Sequence, residues 1–216
     1  MVATAFVSAL LAILCRKKLL PARPVRLTLG FVLAINEIVW LVFHYSHEGL
    51  FKTNLPLQLC DLTAWLTILG CLTLRPFAVE FSYLVGMVSA SLSLLTPDLV
   101  IPGVYPIIYF FLGHGGIVIA VATLVYGRIA FLRPGAVWRS FGLLLGYAVV
   151  IGVVNRILGA NYMYLCHKPS NPTLMDQMGP WPVYLIVSGA LALTLFWLLY
   201  LPARGSRAQR SKATGA

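Results

Sequence analysis

The stretch Leu55–Leu74 reads LPLQLCDLTAWLTILGCLTL, and its twenty mostly apolar residues are enough for an α-helix that crosses the hydrocarbon core of a membrane. Inside this stretch, Cys60 is followed by Asp61, so a thiol lies beside a carboxyl group. Ionisable groups are costly in lipid and therefore usually face a bundle interior or a water-filled cavity. The stretch thus predicts a membrane helix that brings reactive groups into a bundle.

Apolar runs of this kind recur along the whole chain. The 216 residues are 60% hydrophobic and 10% charged, which is typical of membrane proteins. The sequence predicts an all-α, polytopic bundle of seven transmembrane helices in one domain, residues 1–202, followed by a disordered basic cytoplasmic tail, residues 203–216. The predicted helices are Val2–Leu14, Leu27–Phe43, Leu55–Leu74, Phe77–Leu95, Pro106–Tyr126, Trp138–Val154 and Pro182–Leu201.

The basic residues predict the orientation of the chain. Thirteen of its sixteen Lys and Arg residues fall on one side of the predicted bundle, and only Lys52, Arg156 and Lys168 fall on the other. The positive-inside rule therefore places the N-terminus outside and the C-terminus in the cytoplasm. The net charge of +10 is then explained by contact with lipid headgroups, and no nucleic-acid partner is expected. For a bacterial chain the membrane would be the plasma or inner membrane.

Cys60 and His114 are the strongest candidates for chemistry. Cys60 lies about 8 Å below the outer end of the predicted helix Leu55–Leu74. It falls in the first turns of a helix that starts near Pro56, where the helix dipole and a nearby imidazole favour a nucleophilic thiolate. His114 lies about 12 Å below the outer end of the fifth helix and is a candidate general base. Its neighbours Gly113, Gly115 and Gly116 allow backbone or ligand to approach closely. The alternative is that thiol and imidazole are ordinary core groups.

Three further groups lie at or near the same predicted depth. Glu37 lies about 10 Å below the outer end of the second helix and is expected to orient His114 or line the site. Asn155 ends the sixth helix, and the long connection after it has the length of a lid or binding loop. Asp61 points about 100° away from Cys60 around the helix, so a role at the helix start is expected for it.

Two other kinds of function stay open from the residues alone. Outer-side groups, namely Glu37, His114 and Asn155, could line the cavity of a transporter or receptor. A metal- or redox-binding protein could instead use the outer histidines and cysteines, and a Cys60–Cys166 disulfide is chemically possible there. No pair of these residues has the spacing of a tight zinc signature, so neither a metal nor a cofactor is expected. The histidines and cysteine considered for a metal are His44, His47, Cys166 and His167.

The sequence also resembles the YwaF-like and transmembrane protein 164 family over about residues 25–200. The resemblance rests on Glu37 in the second helix and on four stretches: Leu57–Leu62 (LQLCDL), Leu112–Gly115 (LGHG), Asn161–Cys166 (NYMYLC) and Met178–Tyr184 (MGPWPVY). It implies a membrane acyltransferase in which Cys60 forms a thioester and His114 is its partner, with phospholipids as acyl donor and acceptor. It adds Asn161 and Trp181 to the supporting residues. Asp61 departs from the animal members, which have a histidine after the cysteine.

Overall fold

The computed structural model describes residues 1–48, 55–97, 103–169 and 173–214, and within these ranges it contains helices and no strand. The first helices are α1 (Val2–Arg16), α2 (Ala22–Glu48), α3 (Leu59–Thr73) and α4 (Pro76–Leu95). They are followed by α5 (Val104–Tyr126), α6 (Ala136–Leu158) and α7 (Val183–Thr214). Two short 3-10 turns, Tyr162–Tyr164 and Leu174–Met178, lie between α6 and α7. The all-α prediction is confirmed.

Each of the seven predicted apolar runs overlaps one of these helices. Five of them are long and apolar enough to cross a membrane: α2, α4, α5, α6 and the first part of α7, Val183–Arg204. Helices α1 and α3 have fifteen residues each, about 22 Å at 1.5 Å per residue, against a hydrocarbon core of about 30 Å. The chain is therefore membrane-embedded, while the count of seven spans, the orientation and the division at residue 203 stay predictions.

Helix α3 begins later than the sequence suggests. It starts at Leu59 rather than at Pro56, because Gln58 is its N-cap residue and Asp61 Oδ2 accepts a 2.8 Å hydrogen bond from the Gln58 backbone N–H. Cys60 is thus the second residue of the helix, about 1.5 Å along its axis instead of about 8 Å. The expected role of Asp61 at the helix start agrees with this contact.

The glycines around His114 are sites of close helix packing. A Cβ atom on Gly116 would lie 2.7 Å from Leu33 Cδ2 of α2, and one on Gly113 would lie 3.2 Å from Asn36 Nδ2. On the next face, Gly115 lies against Thr4 of α1. These contacts show α2 running antiparallel to α5 and explain why small residues occur here. By contrast, added Cβ atoms on Gly142 and Gly146 of α6 meet nothing within 4 Å.

Helix α4 contains a π-helical turn, Ser82–Gly86, in the centre of the bundle. The turn places Tyr83 where its hydroxyl lies 2.7 Å from the Tyr126 hydroxyl of α5 and donates a 3.0 Å hydrogen bond to Leu199 O of α7. One side chain therefore connects three helices. Gly86 of the same turn lies against Ile117, which brings α4 and α5 together.

At the opposite end from Cys60, a buried carboxylate fixes the start of α6. Glu80 Oε1 accepts from the Arg133 backbone N–H and Nε at 2.9 Å each, and Arg139 Nη2 contacts both carboxylate oxygens at 3.0 Å. Glu80 is only 1% exposed, and two arginines neutralise it. We call the two ends of the bundle the Cys60 end and the Glu80 end.

Candidate functional site

The Cys60 side chain lies in the first turn of α3 and faces α4. Its sulfur is 3.9 Å from the Ser93 hydroxyl oxygen, and its backbone carbonyl accepts a 3.0 Å hydrogen bond from the Thr63 hydroxyl. The first backbone hydrogen bond of the helix is donated by Leu62 to Gln58 O, at 3.3 Å. The N–H groups of residues 59 and 60 therefore have no partner within the helix and carry the positive end of its dipole.

The His114 ring is partly buried in α5. Its Nδ1 lies 2.8 Å from Phe110 O one turn earlier, and the ring packs at 4.2 Å from the Phe110 ring. Nε2 is buried and, within the described part of the chain, has no hydrogen-bond partner. The Nδ1 contact favours the tautomer with hydrogen on Nδ1, which leaves Nε2 as the acceptor. His114 and Cys60 are therefore not hydrogen-bonded to each other in this state.

Cys60, Ser93 and His114 nevertheless lie at one level of the bundle. Ala64, Ala90 and Ile117 form a small buried cluster between α3, α4 and α5. Cys60 is four residues before Ala64, Ser93 three residues after Ala90, and His114 three residues before Ile117. Residues three or four apart share a helix face, so each of the three groups lies one turn above the cluster, towards the Cys60 end.

Glu37 is buried on the face of α2 that packs against α5. It is 4% exposed, and its Oε2 accepts a 3.1 Å hydrogen bond from the Tyr109 hydroxyl. The Asn36 side-chain amide approaches Oε1 at 3.4 Å. Glu37 has no hydrogen bond to His114 in this structure, and its expected role in orienting that ring or lining the site stays a prediction.

Both ends of the Asn155 side-chain amide are hydrogen-bonded to the backbone of Tyr162. Its Nδ2 donates to Tyr162 O at 2.9 Å, and its Oδ1 accepts from Tyr162 N at 2.8 Å. The residue is 1% exposed. Both ends of its amide thus hold the 3-10 turn after α6. The cavity-lining role predicted for Asn155 stays a prediction, and the visible role is to fix this loop.

Asn161 and Trp181, the two residues added by the resemblance, organise the same loop. Asn161 Oδ1 accepts from the backbone N–H groups of Cys166 and His167 at 2.9 and 3.2 Å, and its Nδ2 donates to His167 O at 2.8 Å. Trp181 is exposed, and its indole N–H donates to Leu165 O at 3.1 Å. Neither side chain contacts Cys60.

The loop is in turn joined to the segment that precedes α3. Tyr162 OH accepts from the Leu55 backbone N–H at 2.7 Å, and Gln58 Oε1 accepts from Met163 N at 2.9 Å. Met163 and Tyr164 have positive φ angles of 58° and 53°, which are uncommon for residues other than glycine. We call residues 159–169 the loop clamp. Between it and Gln58 lies an open cavity of about 310 Å³.

The cysteines and histidines are the residues on which a metal-binding or redox function would depend. Cys60 and Cys166 are free thiols here, as are Cys15 and Cys71. In the described ranges there is no group of three His, Cys, Asp or Glu side chains that could hold a metal ion. The His47 side chain, one of the candidate ligands, lies outside what the structure describes.

Ser93 and Tyr109 are the two site residues that the sequence analysis missed. Neither belongs to a motif, because each contacts its partner through helix packing across 33 and 72 residues of sequence. A weak signal was available for Ser93, which lies on the small-residue face of α4 with Gly86 and Ala90.

Comparison with known proteins supplies the family. No curated protein and no solved structure matches the chain. A model of the TMEM164 family matches residues 1–200, which includes α1 to α6 and most of α7. The match includes Cys60, His114, Glu37 and the whole loop clamp. The chain therefore belongs to the TMEM164 family of membrane proteins.

Proposed function

We propose that this protein is a multi-pass membrane acyltransferase that carries a fatty acyl group on Cys60 as a thioester, between a phospholipid donor and a lysophospholipid acceptor. His114 is the general base in this proposal. The observation that carries it is the shared level of Cys60, Ser93 and His114, one turn above the cluster of Ala64, Ala90 and Ile117.

In the acylation step, His114 Nε2 takes the thiol proton, and the Cys60 sulfur attacks the carbonyl carbon of the donor ester. The C–O bond breaks, and the departing lysophospholipid oxygen takes the proton back from the imidazolium. Nε2 is the nitrogen without a hydrogen-bond partner in the described chain, which supports this assignment. The His114 ring has to move to reach the thiol, because Nε2 and the Cys60 sulfur are not hydrogen-bonded in this state; catalytic hydrogen bonds often tighten only when substrate binds.

In the transfer step, the acceptor hydroxyl gives its proton to His114 and attacks the thioester carbon. The C–S bond breaks, and the returned proton restores the Cys60 thiol. Negative charge on the carbonyl oxygen develops in both steps, and the backbone N–H groups of residues 59 and 60 are suited to bind it, because no helical carbonyl uses them.

The loop clamp favours transfer over hydrolysis in this proposal. Its hydrogen bonds to Leu55 and Gln58 hold the loop over the start of α3, next to Cys60. Excluding water from the thioester lets a lipid hydroxyl compete as the acceptor. Asn155, Asn161 and Trp181 support the reaction by holding this loop.

We further propose that all seven helices cross the membrane, with the N-terminus outside and the C-terminus in the cytoplasm. Arg133 and Arg139 lie at the Glu80 end and the exposed Cys166 at the Cys60 end. A membrane-impermeant maleimide added to intact spheroplasts should therefore label Cys166, and the Cys166→Ala variant should not react. Labelling that appears only after the membrane is broken would reverse the orientation.

Acyl transfer itself is tested with purified protein, a phospholipid with a labelled acyl chain and an unlabelled lysophospholipid. Cys60→Ala should lower the transfer rate by at least about 1,000-fold, as loss of a nucleophile does. His114→Ala should lower it by about 100- to 10,000-fold, the range for a general base. Cys166→Ala is the matched control and should keep the rate. Transfer that survives Cys60→Ala would refute the proposed mechanism.

A further inference from the structure

A groove of about 350 Å³ runs along the surface of the bundle where α1 packs beside α5. Most of its lining residues are small, namely Ala5, Ser8, Ala9 and Ala12 of α1 and Ala122 of α5. Short side chains leave open space beside the two helices. The Ser8 hydroxyl donates a 2.7 Å hydrogen bond to Thr4 O of its own helix, so it adds no free polar group to the groove. We call this space the α1–α5 groove.

The length of the groove follows from how its two helices are arranged. Thr4 of α1 lies against Gly115 of α5, and Cys15 lies against Gly127, so the two helices run in the same direction. The lining residues of α1 fall between positions 5 and 16, a rise of about 16 Å. Half of a hydrocarbon core of about 30 Å is about 15 Å. The groove therefore has the length of one leaflet.

The groove reaches a cation at the Glu80 end of the bundle. Arg16, in the last turn of α1, lines this end together with Tyr126. Neither α1 nor α5 contains an acidic residue. Both ion pairs in the described part of the chain belong to Glu80, so Arg16 has no acidic partner there. Lys17 and Lys18 follow directly and add to the positive charge.

The groove and the charge together favour one kind of occupant. A cation in the last turn of a helix is also favoured by the helix dipole, so the charge alone indicates no ligand. An apolar groove that is one leaflet long and ends at a cation suits a phospholipid, with an acyl chain along the groove and a phosphate at the guanidinium. Basic pockets between membrane helices bind anionic headgroups in this way. A partner helix that crosses the membrane would need about twice this length.

We infer that the α1–α5 groove binds one anionic phospholipid of the leaflet at the Glu80 end, with its phosphate at Arg16. In the proposed orientation this is the cytoplasmic leaflet. A headgroup with a net negative charge is attracted by Lys17 and Lys18 as well, whereas a zwitterionic headgroup carries its own cation. The inference goes beyond the proposed function and does not depend on it, because neither Cys60 nor His114 lines the groove.

The charge is tested by native mass spectrometry of purified full-length Cys60→Ala protein, in which lipid is not consumed. Phosphatidylglycerol and phosphatidylcholine with the same two acyl chains are compared, and phosphatidylglycerol should bind about tenfold more tightly. Arg16→Gln should weaken its binding about fivefold, the equivalent of one basic residue near an anionic headgroup, and leave phosphatidylcholine unchanged. Arg16→Lys should keep most of the affinity. Arg23→Gln, an exposed arginine at the same end, is the matched control.

The groove itself is tested by filling it. Ala9 is exposed, so the ring of Ala9→Phe should occupy the groove without entering the core. We expect both lipids to bind at least about tenfold more weakly, as when about two methylene groups lose their burial. Ala190→Phe, at an exposed position of α7, is the matched control. Thermal unfolding in detergent checks that each variant is folded.

Two results would overturn the site. Equal affinity for the two lipids, or phosphatidylglycerol binding that is unchanged in both Arg16→Gln and Ala9→Phe, would show only loosely associated lipid around the bundle. A dimer mass that the Cys60→Ala protein shows and that Ala9→Phe removes would assign the groove to a second copy of the chain instead.

Discussion

The Cys60 sulfur lies 3.9 Å from the Ser93 hydroxyl oxygen, a contact that joins the first turn of α3 to the last turn of α4. A hydroxyl at this distance can donate a weak hydrogen bond to sulfur and so hold the thiol in one rotamer. Both residues are partly buried, and the contact lies beside the buried Ala64–Ala90–Ile117 cluster. The Cys60 thiol is thus positioned by the packing of α3 against α4 as well as by α3 itself.

Removal of the Ser93 hydroxyl tests this positioning. Ser93→Ala should lower the rate of acylation by about 3- to 15-fold, the equivalent of one modest hydrogen bond, while the KM for the donor lipid changes little. Ser91→Ala, on the same helix and two residues away, is the matched control. An unchanged rate in Ser93→Ala would show that the contact has no part in positioning Cys60.

The contact of Gly116 with α2 predicts a difference between two glycines. Gly116→Ala should destabilise the protein by about 1–3 kcal/mol, because the new Cβ meets Leu33, a fully buried side chain, at 2.7 Å. Gly146→Ala on α6 has open space and should be neutral or slightly stabilising. Thermal unfolding of both variants in detergent checks this, and equal melting temperatures would contradict the packing described.

Glu80 should contribute more to stability than any exposed acid. Glu80→Gln removes the charge that neutralises Arg133 and Arg139, and we expect the free energy of unfolding to fall by about 3 kcal/mol. Asp176→Asn, in an exposed turn, should change it by less than about 0.5 kcal/mol. Chemical denaturation in detergent measures both, and a stability loss for Glu80→Gln no larger than for Asp176→Asn would refute the role of this ion-pair group.

Asn155→Ala should loosen the loop clamp. Two buried hydrogen bonds to Tyr162 are lost, so local opening should become easier by about 1–3 kcal/mol. The predicted readouts are faster proteolysis within residues 159–169 and a larger share of hydrolysis relative to acyl transfer. Gln177→Ala, an exposed residue of the same connection, is the control. Unchanged proteolysis together with a raised KM would instead support direct substrate binding by Asn155.

Helix positions were readable from the sequence because hydrophobicity alone determines which segments enter a bundle. The start of α3 was not readable in this way. The local hydrogen bond between Gln58 and Asp61 caps the helix at Gln58, although Pro56 is a residue that favours a first helical turn. The glycines beside His114 were predicted to let backbone or a ligand approach closely, and the structure has α1 and α2 in that space.

The candidate site was only partly predictable for a different reason. Cys60 and His114 stand out as polar residues in apolar helices, so composition identifies them. Their level in the bundle depends on how α3, α4 and α5 are aligned along their axes. The same alignment between helices brings Ser93 to Cys60 and Tyr109 to Glu37. This alignment is set by packing between segments that are far apart in the chain, and a single sequence does not show which segments pack together.

If Cys60 carries the acyl group, the peptide that contains this residue changes in mass. The protein is mixed with donor phospholipid without acceptor, quenched in acid and digested. We predict that the Cys60 peptide gains the mass of one acyl chain, loses it on treatment with neutral hydroxylamine, and gains nothing in His114→Ala over the same time. Acylation at another residue, or a Cys60 peptide unmodified while lipid is consumed, would contradict the account.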